Sequence, residues 1–217
     1  MKKRIIAVCG IGIVCIVVVC ILIWNVNQSA KTVEAESISE IIMEMSDIVK
    51  EKIENNPTVK FSSNPYDYIE NNEAYDKLIQ KGVGAVSEML SYMETSGEDG
   101  LNDYLIAIAV EEILECNLKE TDYAWEDADS FLNQWGKMLK NREKIVKDAM
   151  EHAKTENEII KELQPYGLVA METVEEMQND KTVEAKYQKC AQKLESFVEI
   201  TENEKEILQS EIYPTDK

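Results

Sequence analysis

Apolar residues recur every three to four positions along most of this chain, the spacing that gathers them on one face of an α-helix. Ile38, Ile41, Ile42, Met45, Ile48 and Val49 form the first amphipathic stripe, behind a Ser37–Glu40 capping box, and it stops at Asn55-Asn56-Pro57. Asn64-Pro65 reads as an N-cap followed by a first-turn proline, opening a short helix through Tyr68 and Ile69. Tyr75, Leu78 and Ile79 mark the next helix, and Ala85, Val86, Met89, Leu90 and Met93 one that ends at Ser96-Gly97. Leu101 to Leu114 is apolar nearly all round, which predicts a central buried helix. Ala128, Phe131, Leu132, Trp135, Met138, Leu139, Ile145, Val146 and Ala149 then hold one face over about seven turns. Thr155 and Glu158 predict a second capping box before Ile159, Ile160 and Leu163; Pro165 breaks that helix, and Leu168, Met171, Val174 and Met177 restart the pattern. The last stripe, Val183 to Val198, is expected to run on towards Ile212 before Pro214. Only six glycines and four prolines follow residue 30, and no segment alternates with period two, so the fold class is all-α.

One segment departs from the amphipathic rule. Ile5 to Trp24 is an unbroken apolar run preceded by Lys2, Lys3 and Arg4. At roughly 1.5 Å per residue, a helix of that length spans about 30 Å, the hydrocarbon thickness of a bilayer. The basic flank is expected on the cytoplasmic side, Trp24 at the outer interface, and residues 25–217 outside. A cleavable signal normally has a shorter apolar stretch and small residues before the cut, yet Gln28 stands at the −3 position before Ala30. A lipoprotein signal wants a small residue before its cysteine, whereas Val8, Val14 and Val19 precede Cys9, Cys15 and Cys20. The expected reading is an uncleaved signal-anchor in the cell membrane, with cleaved and lipid-anchored forms as its alternatives. All three put the bulk of the chain outside the cytoplasm. The domain organisation that follows is 1–30 basic flank and anchor, 31–62 amphipathic linker helix, 63–153 helical-hairpin domain and 154–217 C-terminal helices.

Charge narrows the possible partners. All 42 acidic residues lie beyond residue 30, while three of the 23 bases precede it, leaving 20 bases against 42 acids and a formal −22. Such a surface cannot displace counterions from phosphate, so nucleic acid is excluded as a partner. It suits a basic protein or peptide, because complementary fields speed encounter and suppress wrong partners.

A weak internal repeat is visible. Residues 79–90 and 164–175 align at an offset of 85, pairing Gly82 with Gly167, Ala85 with Ala170 and Met89 with Val174. At an offset of 83, Tyr104 aligns with Tyr187, Ile108 with Ala191 and Leu114 with Phe197. Coincidence among similar amphipathic helices is the competing explanation. The stretch from Ser63 to Trp135, through Asn64-Pro65-Tyr66-Asp67-Tyr68, Gly82 with Ala85, and Gly100-Leu101 with Tyr104, resembles a helical domain of secreted or membrane-tethered proteins in clostridia-like Gram-positive bacteria. Its hairpin also resembles a degenerate HEAT-type repeat, which implies an α/α surface for a partner. The basic residue common in the second helix of such repeats is missing between Asn102 and Cys116, which argues against long stacking.

Candidate chemistry is sparse. His152 is the single histidine, no stretch has calcium-loop spacing, and no nucleophile sits in a recognisable motif with a base. The expectation is no catalytic residue, no metal and no cofactor. Glu126, Asp127 and Asp129 read as a solvated helix start. Cys116 and Cys190 are the only cysteines beyond the apolar run, and spacing leaves open whether they pair. The aromatic residues Tyr66, Tyr68, Trp125, Phe131 and Trp135 are the candidate interaction surface. Phe131 and Trp135, four apart on one helix face, are expected first of all to pack their helix on the preceding hairpin. Two function classes follow: a tethered interaction or sensory module, and an acidic structural spacer without catalytic activity.

Overall fold

The computed structural model describes residues 36–96 and 100–213. The described residues from 38 onward belong to one compact unit. The apolar run at 5–24, expected as a transmembrane helix, therefore falls outside the described residues. Among the described residues, no helix is long and apolar enough to cross a membrane.

The described chain is all-α, with no strand. Its helices are α1 (Ile38–Asn55), α2 (Pro57–Lys60), α3 (Tyr66–Ile69), α4 (Glu73–Gln80), α5 (Val86–Ser96), α6 (Leu101–Ile113), α7 (Ala128–His152), α8 (Glu156–Leu163), α9 (Gly167–Asn179), α10 (Ala185–Lys193) and α11 (Glu202–Ile207). Short 3-10 turns precede α5 and α9, and a π-turn, Leu208–Ile212, follows α11. Helix α1 lies in the stretch expected to act as a linker, but it is a core element. It packs on α4 and α5 and leaves Ile41, Ile42 and Met45 without exposed surface. Each such side chain contributes about 1.5–3 kcal/mol through burial.

Helix α6 is the centre. Leu105, Ile106, Ala107, Ala109 and Val110 are fully covered, because α4, α5 and α7 approach it from different sides. The long helix α7 links two apolar clusters: Phe131, Trp135, Met138 and Leu139 face the cluster around α6, while Val146 and Ala149 face α8, α9 and α10.

Local signals set the helix ends. Asp127 caps α7, its carboxylate accepting from the Ser130 N–H at 2.8 Å, and these bonds to Ser130 hold its pKa below the usual carboxylate value. Thr155 caps α8 as expected, but the Glu158 carboxylate reaches the Lys154 N–H at 2.7 Å, so the box is displaced by one residue. The last stripe does not continue to Ile212. Helix α10 ends at Lys193, and a full Thr201–Glu204 capping box starts α11 afresh.

The two halves follow the same element order: α4, glycine, α5, α6, and then α8, glycine, α9, α10. Both junction glycines have positive φ, +64° at Gly82 and +50° at Gly167. Ala85 and Ala170 are buried alike, as are Met89 and Val174.

Candidate functional site

Three segments enclose a groove of about 610 Å³ in the first half of the fold. The first wall is the turn before α3. Its shape comes from side chains that bond to nearby backbone, as Ser and Asn do in turns. Ser62 Oγ accepts the Asn64 N–H at 3.0 Å, and Asn64 Oδ1 accepts the Tyr66 N–H at 3.3 Å. Asp67 takes bonds from Ser62 Oγ at 2.5 Å and Asn64 Nδ2 at 2.9 Å. Asn64 thus caps the start of α3 from one residue before Pro65. This fixed turn displays Phe61, 82% exposed, and Tyr66, 58% exposed, two of the three large apolar side chains that face water among the described residues.

The floor is one face of α6. Tyr104, Ile108 and Glu112 recur at four-residue intervals, with Glu111 beside them. The far wall is Cys116, Asn117 and Lys119, held by the chain after α6. Glu112 accepts the Tyr75 hydroxyl at 2.7 Å. Burial, with that bond second, pushes the Tyr75 phenol well above its usual range.

Glu111 is the unusual group. It is only 9% exposed, and its Oε1 accepts the Leu118 N–H at 2.8 Å and the Trp125 Nε1–H at 3.0 Å. Burial raises its pKa above 4.5, and the two bonds to Oε1 oppose that rise. Above Trp125 stands the Lys119 ammonium, 4.0 Å from the indole centroid and 4.8 Å from that of Tyr104.

The five aromatic candidates divide. Tyr66 is on the surface, at the groove. Tyr68 is buried and donates its hydroxyl to the Ser62 carbonyl at 2.9 Å, so it supports the turn rather than presenting a contact. Trp125, Phe131 and Trp135 are 3%, 0% and 4% exposed and do not form an open surface. They make an aromatic ladder into the core: Tyr104 to Trp125 at 4.9 Å, Trp125 to Phe131 at 5.2 Å, Phe131 to Trp135 at 6.0 Å. The packing function of the Phe131–Trp135 pair is the one realised, and such pairs add about 0.5–1.5 kcal/mol each beyond burial.

Sequence reasoning passed over Phe61, Glu111, Glu112 and Lys119, and read Tyr104 only as part of the repeat and the resemblance. A signal was present for the acids. Glu111 and Glu112 follow the apolar run Leu105–Val110 in the last turn of α6, where the macrodipole disfavours anions.

Elsewhere, a wide cleft of about 970 Å³ between α7 and α8 holds His152 with acids and bases interspersed, so it has no single sign of charge. Cys116 and Cys190 are free thiols; burial raises the pKa of both. Among the described residues, no group of three His, Cys, Asp or Glu side chains could hold a metal ion.

No protein family, curated protein or solved structure matches the chain, so the functional reading rests on the chemistry of the groove.

Proposed function

We propose that this chain is a membrane-tethered, extracytoplasmic interaction or sensory module whose groove receives a basic segment of a protein partner. The observation that carries the reading is the pairing of the exposed Tyr66 with Glu111 and Glu112 across one groove. An aromatic rim offers contact area at low conformational cost, and two carboxylates in a chain of strongly negative charge select a cationic ligand. The address rests on the apolar run at 5–24 with its basic flank. The helical hairpins, in the manner of HEAT repeats, supply the rigid α/α surface on which the groove is built. No catalytic step, metal or cofactor is assigned.

Calorimetric titration of the full chain with a tri-lysine peptide, and with tri-glutamate as control, tests the reading. Tri-lysine binds, tri-glutamate does not, and Tyr66→Ala weakens binding several-fold without loss of fold, since the ring faces water. Binding of neither peptide overturns the groove reading and leaves the acidic spacer. Protease applied outside intact cells removes residues 38–217 if the address is right.

A further inference from the structure

Lys119 occupies an unusual place. Its ammonium faces two rings that meet at 57°, Tyr104 and Trp125, and donates to the Tyr104 hydroxyl at 2.5 Å. The third side of this notch is Glu111, nine-tenths buried. Both bonds that Glu111 receives go to Oε1; among the described residues Oε2 has no donor. Lys119 makes no ion pair with it. A carboxylate with one oxygen free of protein donors, set beside two ring faces, combines the charge and the π-face attraction that an organic cation needs. Lys119 is held by the two rings and the Tyr104 hydroxyl, and is attracted by the Glu111 carboxylate from beyond ion-pair distance. It sits on a three-residue 3-10 turn, Leu118–Glu120, with its side chain exposed, so it can swing into water without disturbing a helix.

We propose that Tyr104, Trp125 and Glu111 form the binding site for a lysine ammonium of the partner's basic segment, and that Lys119 fills this site until the partner displaces it. The proposal rests on the groove reading above and names the ligand group and its internal competitor. A ligand that must wait for Lys119 to leave binds with its intrinsic affinity reduced by the fraction of open sites. Removing Lys119 therefore exposes the full affinity.

The experiment titrates tri-lysine into the full chain as wild type, Lys119→Ala, Lys119→Ala with Tyr104→Leu, and Lys119→Ala with Glu111→Gln. Lys119→Ala binds about tenfold tighter, as expected when a competing cation–π contact is removed. Either second substitution cancels the gain. Glu111→Gln keeps the acceptor for Trp125 and Leu118, so one of the two double variants retains the local bonding. If Lys119→Ala binds as wild type does, while wild-type binding still depends on Tyr66, the internal plug is overturned and the groove reading stands. If the gain survives both second substitutions, it comes from the lost positive charge alone and the proposed site is overturned. If no form binds tri-lysine, both readings fall.

Discussion

At the scale of single residues, two glycines that share a positive φ do different things. Gly82 has open space where a Cβ would stand, whereas a Cβ on Gly167 would lie 2.1 Å from the Leu114 carbonyl oxygen and 2.5 Å from that of Glu115. Gly167 is where the chain after α6 meets the α8–α9 junction, through Leu168 N–H to Leu114 O at 2.9 Å and Asn117 N–H to Pro165 O at 2.8 Å. Gly82→Ala should therefore cost only the positive-φ penalty, about 1–2 kcal/mol. Gly167→Ala adds overpacking against backbone, about 1–3 kcal/mol more. Urea midpoints of the two variants check this, and equal losses would refute the close approach. Glu111 gives a pH signature. Its folded pKa is raised above 4.5, so the native state binds the proton more tightly than the unfolded chain. Stability from this group is full below pH 4.5 and falls as pH rises through the raised value. Glu111→Gln removes that fall, so the variant should gain on wild type between pH 4.5 and neutrality in paired urea titrations. The pairing of Gly82 with Gly167 was visible in the sequence. The crowding at Gly167 was not, because Leu114 and Glu115 lie about fifty residues away along the chain.

At the scale of elements, the apolar periods located most helices. Helix α6 is central, as its all-round apolar surface implied, because α4, α5 and α7 each need a face to cover. Ile106→Asp would place an unpaired carboxylate where Ile106 is fully buried, and should cost on the order of several kcal/mol. Unfolding at the wild-type denaturant midpoint would contradict the central position. The final stripe misled for a physical reason: Val183 to Val198 keeps helical spacing, yet α10 ends at Lys193 and the Thr201 capping box satisfies the N–H groups of a separate helix. The groove depends on the opposite kind of element. The turn from Ser62 to Asp67 has almost no apolar content to bury, and its hydrogen bonds to its own backbone set how Tyr66 is presented.

At the scale of the molecule, the negative charge is the feature proposed to steer a basic partner. A basic peptide drawn by the summed field associates at a rate that falls steeply with ionic strength, since the screening length is about 8–10 Å in physiological salt. Stopped-flow association of tri-lysine at two salt concentrations measures it. An on-rate indifferent to salt would leave the acids as solvation alone. The all-α class, the positions of most helices and the buried character of α6 were determined by the sequence itself, as was the net negative charge from which a basic partner is proposed. They follow from local period and total charge, which need no knowledge of contacts. Which aromatics face water was decided only in three dimensions. Tyr66 and Trp125 look alike in the sequence, but one sits on a self-bonded turn and the other is sealed between Glu111, Lys119 and Phe131. The notch around Glu111 likewise exists only because α6 and the turn after it fold back on each other. Burial depends on what arrives from elsewhere in the chain, and no local pattern encodes it.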